Sequence, residues 1–200
     1  MIPRHLTITL GLLLVAALGT SAYVFVLSRH RHVAPEQQAE LQAPVTPPAA
    51  GPPEQVTLFV ADDEQGTLQP RDISINLPSD PTQRAHAVLR ALLASYMDSS
   101  SHHTIAPGSE INNIFLIQSG AAVVDLSAPF ANRHRSGVLV EELTVLSLVR
   151  TLAANFPGIR QVKILIDGKE RDTLAGHADL ADFYDVMAVN QLVDSMRPSK

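Results

Sequence analysis

Cysteine and tryptophan are both missing from this chain of 200 residues, and the aromatic side chains come to six Phe and three Tyr. Without cysteine there can be no disulfide, no thiolate metal site and no cysteine nucleophile, although the compartment stays open. With so few rings, a core must be built from Leu, Val, Ile and Ala. Basic residues are also in the minority. Fifteen Lys and Arg against 20 Asp and Glu give a formal net charge of −5, which removes the basic footprint of a general nucleic-acid binder. The ten glycines are too scattered for a Gly-x-Gly-x-x-Gly or P-loop spacing, so no phosphate cradle is expected.

Charge is absent altogether over one long stretch. Leu6 to Leu27 holds 22 residues without a single charged side chain. As a helix it would reach roughly 33 Å, enough to cross a hydrocarbon layer of about 30 Å. Tyr23 and Phe25 stand near one end, as interfacial aromatics do, and Arg29-His30-Arg31-His32 stop the run abruptly. The competing reading is a cleaved secretory signal with Thr20 and Ala22 before the cut. The apolar run continues past that point, through Tyr23-Val24-Phe25-Val26-Leu27, and favours an uncleaved anchor, so that residues 1–27 are a short leader followed by a transmembrane helix. Arg29 and Arg31 outnumber Arg4 and would place the downstream domain in the cytoplasm. A leader this short is the usual arrangement for exporting that domain, and the sequence predicts a single-pass inner or plasma membrane protein with its domain outside.

Residues 28–54 carry Pro35, Pro44, Pro47, Pro48, Pro52 and Pro53 with Ala and Gln between them, and no apolar periodicity. That composition predicts an extended, disordered linker able to reach up to ~80 Å from a bilayer.

Residues 55–180 alternate between periods of 2 and 3.6. Val56, Leu58 and Val60 mark a first strand, and Ile73, Ile75 and Leu77 a second one ended by Pro78. Asp80, Pro81 and Gln83 give helix-start signals ahead of an apolar face running from Ala85 to Met97. Ile111–Ile117 and Ala121–Leu126 pair as a hairpin across Gln118-Ser119-Gly120. Ser136 is placed to cap a second helix carrying Leu139, Leu143, Leu146, Val149, Leu152 and Phe156, and Pro157-Gly158 stops it. Val162, Ile164 and Ile166 form a fifth strand. Residues 181–200 are a tail, with a short helix expected between Leu180 and Met196. The order β-β-α-β-β-α-β predicts an α+β two-layer sandwich, with helices on one face of a mixed sheet.

Several motifs in this domain resemble those of GerMN domains. Ile105-Ala106-Pro107-Gly108-Ser109-Glu110-Ile111 is similar to that family's I-P-x-G-T-x-L segment. Val123-Val124-Asp125-Leu126-Ser127-x-x-Phe130 is similar to its V-x-V-D-L-S-x-x-F. Thr151-Leu152 before Phe156, then Val162 to Asp167-Gly168, then Gly176-His177, occur in the family's order. The resemblance covers roughly residues 55–180. It implies a non-enzymatic α/β module of sporulation, germination and envelope proteins, similar to the ring-building modules of assemblies between membranes. It brings no agreed catalytic residues. The chain departs from lipoprotein relatives in having the apolar segment where they carry a lipidated cysteine, and in having one such domain.

The residues that could carry chemistry have plainer readings beside the functional ones. His102-His103, His134 and His177 with Asp179 invite a metal, but neither His-x-x-x-His nor a Glu near His on a helix occurs. Glu141-Glu142 suits a general base, yet carboxylates in a first helical turn also complement the dipole. Ser127, His177 and Asp125 could form a triad for an envelope hydrolase or metal-dependent enzyme, without the Gly-x-Ser-x-Gly elbow that would expose the serine. Asp167-Gly168 is a turn signal first. No catalytic residue, cofactor or metal is assigned. Arg133-His134-Arg135 is the candidate contact loop, by charge and expected exposure. The expected function is a membrane-anchored interaction module of the cell envelope, binding an envelope protein, its own copies or peptidoglycan.

Overall fold

The computed structural model describes residues 52–196; the apolar segment 6–27 and most of the Pro-rich stretch lie outside them. No helix among the described residues is long and apolar enough to cross a membrane.

Strand β1 (Pro53–Asp62) opens the domain inside the stretch read as linker, and turns into β2 (Thr67–Asn76) to form an antiparallel hairpin. Helix α1 (Pro81–Tyr96) comes next, with the Asp80 side chain accepting from the Gln83 N–H at 2.8 Å and Pro81 in the first turn. Ala85, Val88, Leu89, Leu92, Leu93 and Tyr96 form its buried face, whereas Met97 is left outside. Strands β3 (Ile111–Ile117) and β4 (Ala121–Leu126) make the expected second hairpin. A short helix α2 (Ala128–Asn132), a long helix α3 (Val138–Asn155), strand β5 (Gln161–Ile166), a two-residue strand β6 (Tyr184–Asp185) and helix α4 (Val186–Ser195) complete the order.

The architecture is α+β, but the described strands form two sheets rather than one. The β1–β2 hairpin stands apart from a mixed sheet ordered β3-β4-β5-β6, in which β4 and β5 run parallel. The reason lies at the free edge of β1. Its outward N–H groups do not meet a third strand. They are taken instead by side chains: Thr57 N–H by Asn155 Oδ1 at 3.1 Å, Phe59 N–H by Thr151 Oγ1 at 2.9 Å and Ala61 N–H by the Tyr96 hydroxyl at 3.0 Å. Asn155 Nδ2 returns a bond to the Thr57 carbonyl at 2.8 Å. Helices α3 and α1 therefore satisfy a strand edge that would otherwise recruit another strand.

Helix α3 is the centre of the domain, touching β1, β2, α1 and α4. Along most of its length it is buried all round, polar residues included. One apolar core joins both sheets and all the longer helices, taking Leu58 and Phe59 from β1, Leu148 and Leu152 from α3, Val124 from β4 and Ile164 from β5. Val189 and Val193 of α4 belong to the same core, so it does not end at residue 180. Arg150 of α3 lies over the Phe59 ring at 4.7 Å and donates to Asn190 of α4. The expected Ser136 cap is not made. Gly137 occupies the N-cap of α3, and the Glu141 side chain reaches back to its N–H at 3.1 Å.

Candidate functional site

Gly108, Asp125, Ser127, Asp167 and Gly168 of the motifs come together at one end of the mixed sheet, where they hold backbone, while Gly176 lies in the separate 175–178 turn, near Ser136. Ser127 Oγ accepts the Glu110 N–H at 3.0 Å and donates to the Gly108 carbonyl at 3.0 Å. Asp125 Oδ1 accepts the Gly168 N–H at 2.7 Å. Asp167 Oδ1 accepts the Ala128 N–H at 2.9 Å, while the Asp167 N–H donates to the Leu126 carbonyl. Asp167 and Gly168 both have positive φ, 49° and 70°, which is why Gly follows Asp in this turn. Pro107 precedes the turn at Gly108, whose φ is 83°. These residues tie the loop before β3 to the ends of β4 and β5.

The hydrogen bonds of Ser127, Asp125 and His177 go to different places. Ser127 is spent on Gly108 and Glu110, Asp125 on Gly168, and His177 on Glu141 and Ser136. The three are not linked into a triad.

Polar side chains on successive turns of α3 make the second constellation, and each closes on a different segment. Asn155 and Thr151 hold β1. Thr144 Oγ1 lies 2.9 Å from His103 Nε2 and 2.8 Å from His134 Nε2. His103 Nδ1 donates to Asp63 Oδ1 at 2.6 Å, and Asp63 Oδ2 pairs with Arg135 at 2.8 Å. His134 Nδ1 donates to the Arg135 carbonyl at 2.7 Å. Burial pushes both imidazoles below their usual range, against the pull of Asp63 on His103 and of the Arg135 carbonyl on His134. The candidate contact loop is thus divided: Arg133 and Arg135 reach solvent, and His134 is only 8% exposed. Of the histidine doublet, His102 stays outside beside Asp62 at 3.2 Å, and His103 goes in. Among the described residues no three His, Asp or Glu side chains could hold a metal together.

Glu141 completes the stripe. Its side chain is fully buried, and its oxygens accept the N–H groups of Ala175, His177 and Ala178 at 2.9–3.0 Å, the Gly137 N–H, and the His177 ring. Burial alone would raise its pKa. The bonds from the His177 side chain and backbone, then from Ala175 and Gly137, outweigh that and hold it at about 2. Such a carboxylate is an anchor for the 175–178 turn and a poor base.

An open groove lies beside this clamp. It has a volume of about 570 Å³ and runs between the first turns of α3 and helix α4. Val145, Leu146, Ala178 and Val189 are among its lining residues, and Glu142, Asp179 and Asp185 stand among them. Val138, Phe183 and Leu192 line it while keeping 64%, 49% and 38% of their surface exposed. In the sequence this wall leaves only a trace, Ala188, Val189 and Leu192 within the expected tail helix.

The family model described as Germane, sporulation and spore germination, matches residues 57–172, more than half the chain. No curated protein matches it. Among solved structures, the tandem GerMN domains of the sporulation protein GerM from Bacillus subtilis superpose with a TM-score of 0.50 at 20% identity. That match covers 66% of this chain and 46% of the tandem protein, so the chain spans under half of that relative's length. The first GerMN domain of the same protein gives 0.47 at 21% identity, over 64% and 94% of the two chains. A putative lipoprotein from Clostridium perfringens gives 0.46 at 18% identity, over 67% and 88%. The motifs that tie the sheet ends together lie within the matched span, and the chain belongs to the Germane family of sporulation and spore germination domains, with a GerMN-like fold.

Proposed function

We propose that this protein is a non-enzymatic interaction module of the bacterial cell envelope, held at the membrane through residues 6–27 with its domain on the outer side. The observation that carries the reading is the division of labour among its polar groups. Asp125, Ser127, Asp167, Glu141 and Thr144 each hold a specific piece of backbone or a buried partner, and Val138, Phe183 and Leu192 remain exposed around the groove between α3 and α4. Exposed apolar clusters rimmed by polar residues mark sites of interaction with a partner. The uncharged segment and the Pro-rich tether suit a domain that must reach partners above a bilayer.

Two measurements test it together. A reporter fused to the C-terminus, active on one side of the membrane only, should report the outer side. Cross-linking of the full-length protein in cells should then recover envelope proteins, its own copies or peptidoglycan. Recovery of cytosolic partners alone, or turnover of an envelope substrate that depends on Asp125 or His177, defeats the proposal.

A further inference from the structure

We infer that the groove between α3 and α4 receives one amphipathic helix of a partner protein, apolar along the buried face and bearing Lys or Arg along its flanks. The inference rests on the interaction-module reading and gives that module its site and the chemistry of its partner.

The shape comes first. The N-cap Asp185 and, from helix α4, Ala188, Val189 and Leu192 line the groove, at the i, i+3, i+4, i+7 spacing of one helical face. The opposite wall is the start of α3, with Val138, Glu142, Val145 and Leu146 at similar spacing. Two helical walls of this kind leave a trough that a third helix fills with three or four side chains. A volume of about 570 Å³ is of the size that takes a few side chains and not a whole domain.

Charge then selects the occupant. The lining includes three carboxylates, Glu142, Asp179 and Asp185, the His177 imidazole with its Nδ1 turned to the buried Glu141 carboxylate, and neither Lys nor Arg. Asp185 caps α4 through the Ala188 N–H at 2.9 Å, and Asp179 accepts the Ala181 N–H at 2.7 Å, so both are fixed in place. The phenol of Tyr184, in the same wall, is pushed up to about 12 by burial and then by Asp179 and Glu142. The groove therefore carries a negative field over an apolar floor. An anionic lipid surface or an acidic segment would meet repulsion there, and a neutral apolar helix would leave the carboxylates uncompensated. A helix with cationic flanks satisfies both parts.

The test uses the purified full-length chain and two synthetic 15-residue helical peptides. Both carry Leu on one face at the same spacing; one has Lys on its flanks and the other Glu. Fluorescence anisotropy should show the Lys peptide binding at least about ten-fold more tightly than the Glu peptide. Glu142→Lys should weaken that binding by about five-fold or more, and Phe183→Ser should remove most of it. Arg90→Ser, on α1 and outside the groove lining, should leave it unchanged. Both groove variants alter solvent-accessible side chains, and thermal unfolding of each should match the parent chain.

Equal binding of the two peptides, or unaltered binding in Glu142→Lys and Phe183→Ser, overturns the inference. So does sedimentation showing that the chain fills the groove with its own second copy, through a dimer that Phe183→Ser dissociates. Loss of peptide binding with envelope partners still recovered in cells would sink the groove assignment alone. Peptide binding with only cytosolic partners recovered would sink the envelope reading instead.

Discussion

Glu141 and His177 meet through both side chain and backbone: the ring Nδ1 lies 2.9 Å from Oε1, and the His177 N–H donates to Oε2 at the same distance. Two further N–H groups of the same turn, from Ala175 and Ala178, share Oε2. Glu141→Gln keeps the shape but replaces one acceptor oxygen with a donor, facing N–H groups that then have no partner. An unsatisfied buried donor costs about 1–3 kcal/mol, so the variant should lose about 2–4 kcal/mol of unfolding free energy. Urea unfolding followed by circular dichroism measures it. A midpoint unchanged from the parent protein would show that the turn is held by something else.

Acid should unfold the domain in two stages. His103 and His134 are held below their ordinary pKa by burial, so below about pH 6.5 the unfolded chain binds more protons than the folded one. Stability from this pair is complete above about 6.5 and declines as pH falls toward the folded values. Glu141 is depressed from 4.5 to about 2, so its contribution is complete above 4.5 and is lost between there and about 2. Urea midpoints across pH 7.5 to 2.5 should show both declines, and Glu141→Gln should flatten only the lower one.

Strand β1 supplies a third prediction. Thr151→Val is nearly isosteric but removes the acceptor for the Phe59 N–H, at a site where the donor is buried. A loss of about 1–3 kcal/mol is expected. Tyr96→Phe, which strips the acceptor from the Ala61 N–H, should cost a similar amount. Hydrogen exchange should quicken at Phe59 in the first variant and at Ala61 in the second. Unchanged protection at both amides would show that the strand edge does not depend on these side chains.

Two glycines close in space should behave oppositely on replacement by alanine. Gly120 has φ of 87°, and an added Cβ would lie 2.9 Å from the Gly158 carbonyl oxygen, so both strain and overlap oppose it. A loss of about 1–3 kcal/mol is expected. At Gly158 itself nothing lies within 4 Å of the added carbon, and the change should stay within about 0.5 kcal/mol. Thermal melts of the two variants decide the point.

Much of the fold was legible, because strands covered on one face and helices with one apolar stripe repeat visibly. The Ile111–Ile117 and Ala121–Leu126 hairpin, the Asp80 start and the Pro157-Gly158 stop lie as read. The failures share a cause. Period 2 gives Phe59 to the solvent face of β1, but Arg150 covers it and it is buried. In α3, Glu141, Thr144, Ser147 and Thr151 have the spacing of a solvated stripe, yet all four are buried. Glu141, Thr144 and Thr151 each find a partner from a distant segment, and Ser147 bonds back to the Thr144 carbonyl. Local periodicity reports polarity and cannot say that water has been replaced by a hydrogen bond from far along the chain. The two-residue β6 and five-residue α2 are too short to have a period. The motif residues were visible as a set, but their use as backbone ties depends on positive φ at Asp167 and Gly168 that only the folded turn displays.

Because β1 is fastened to Thr151 and Asn155, residues 92 and 98 positions further along, the first hairpin emerges from synthesis with one flank bare and must wait for most of the domain before it is sheltered. Its protection against pairing with a neighbour is thus a matter of timing as well as of structure. A chain cut short before α3 would carry the hairpin with only the Tyr96 hydroxyl of α1 on its open edge.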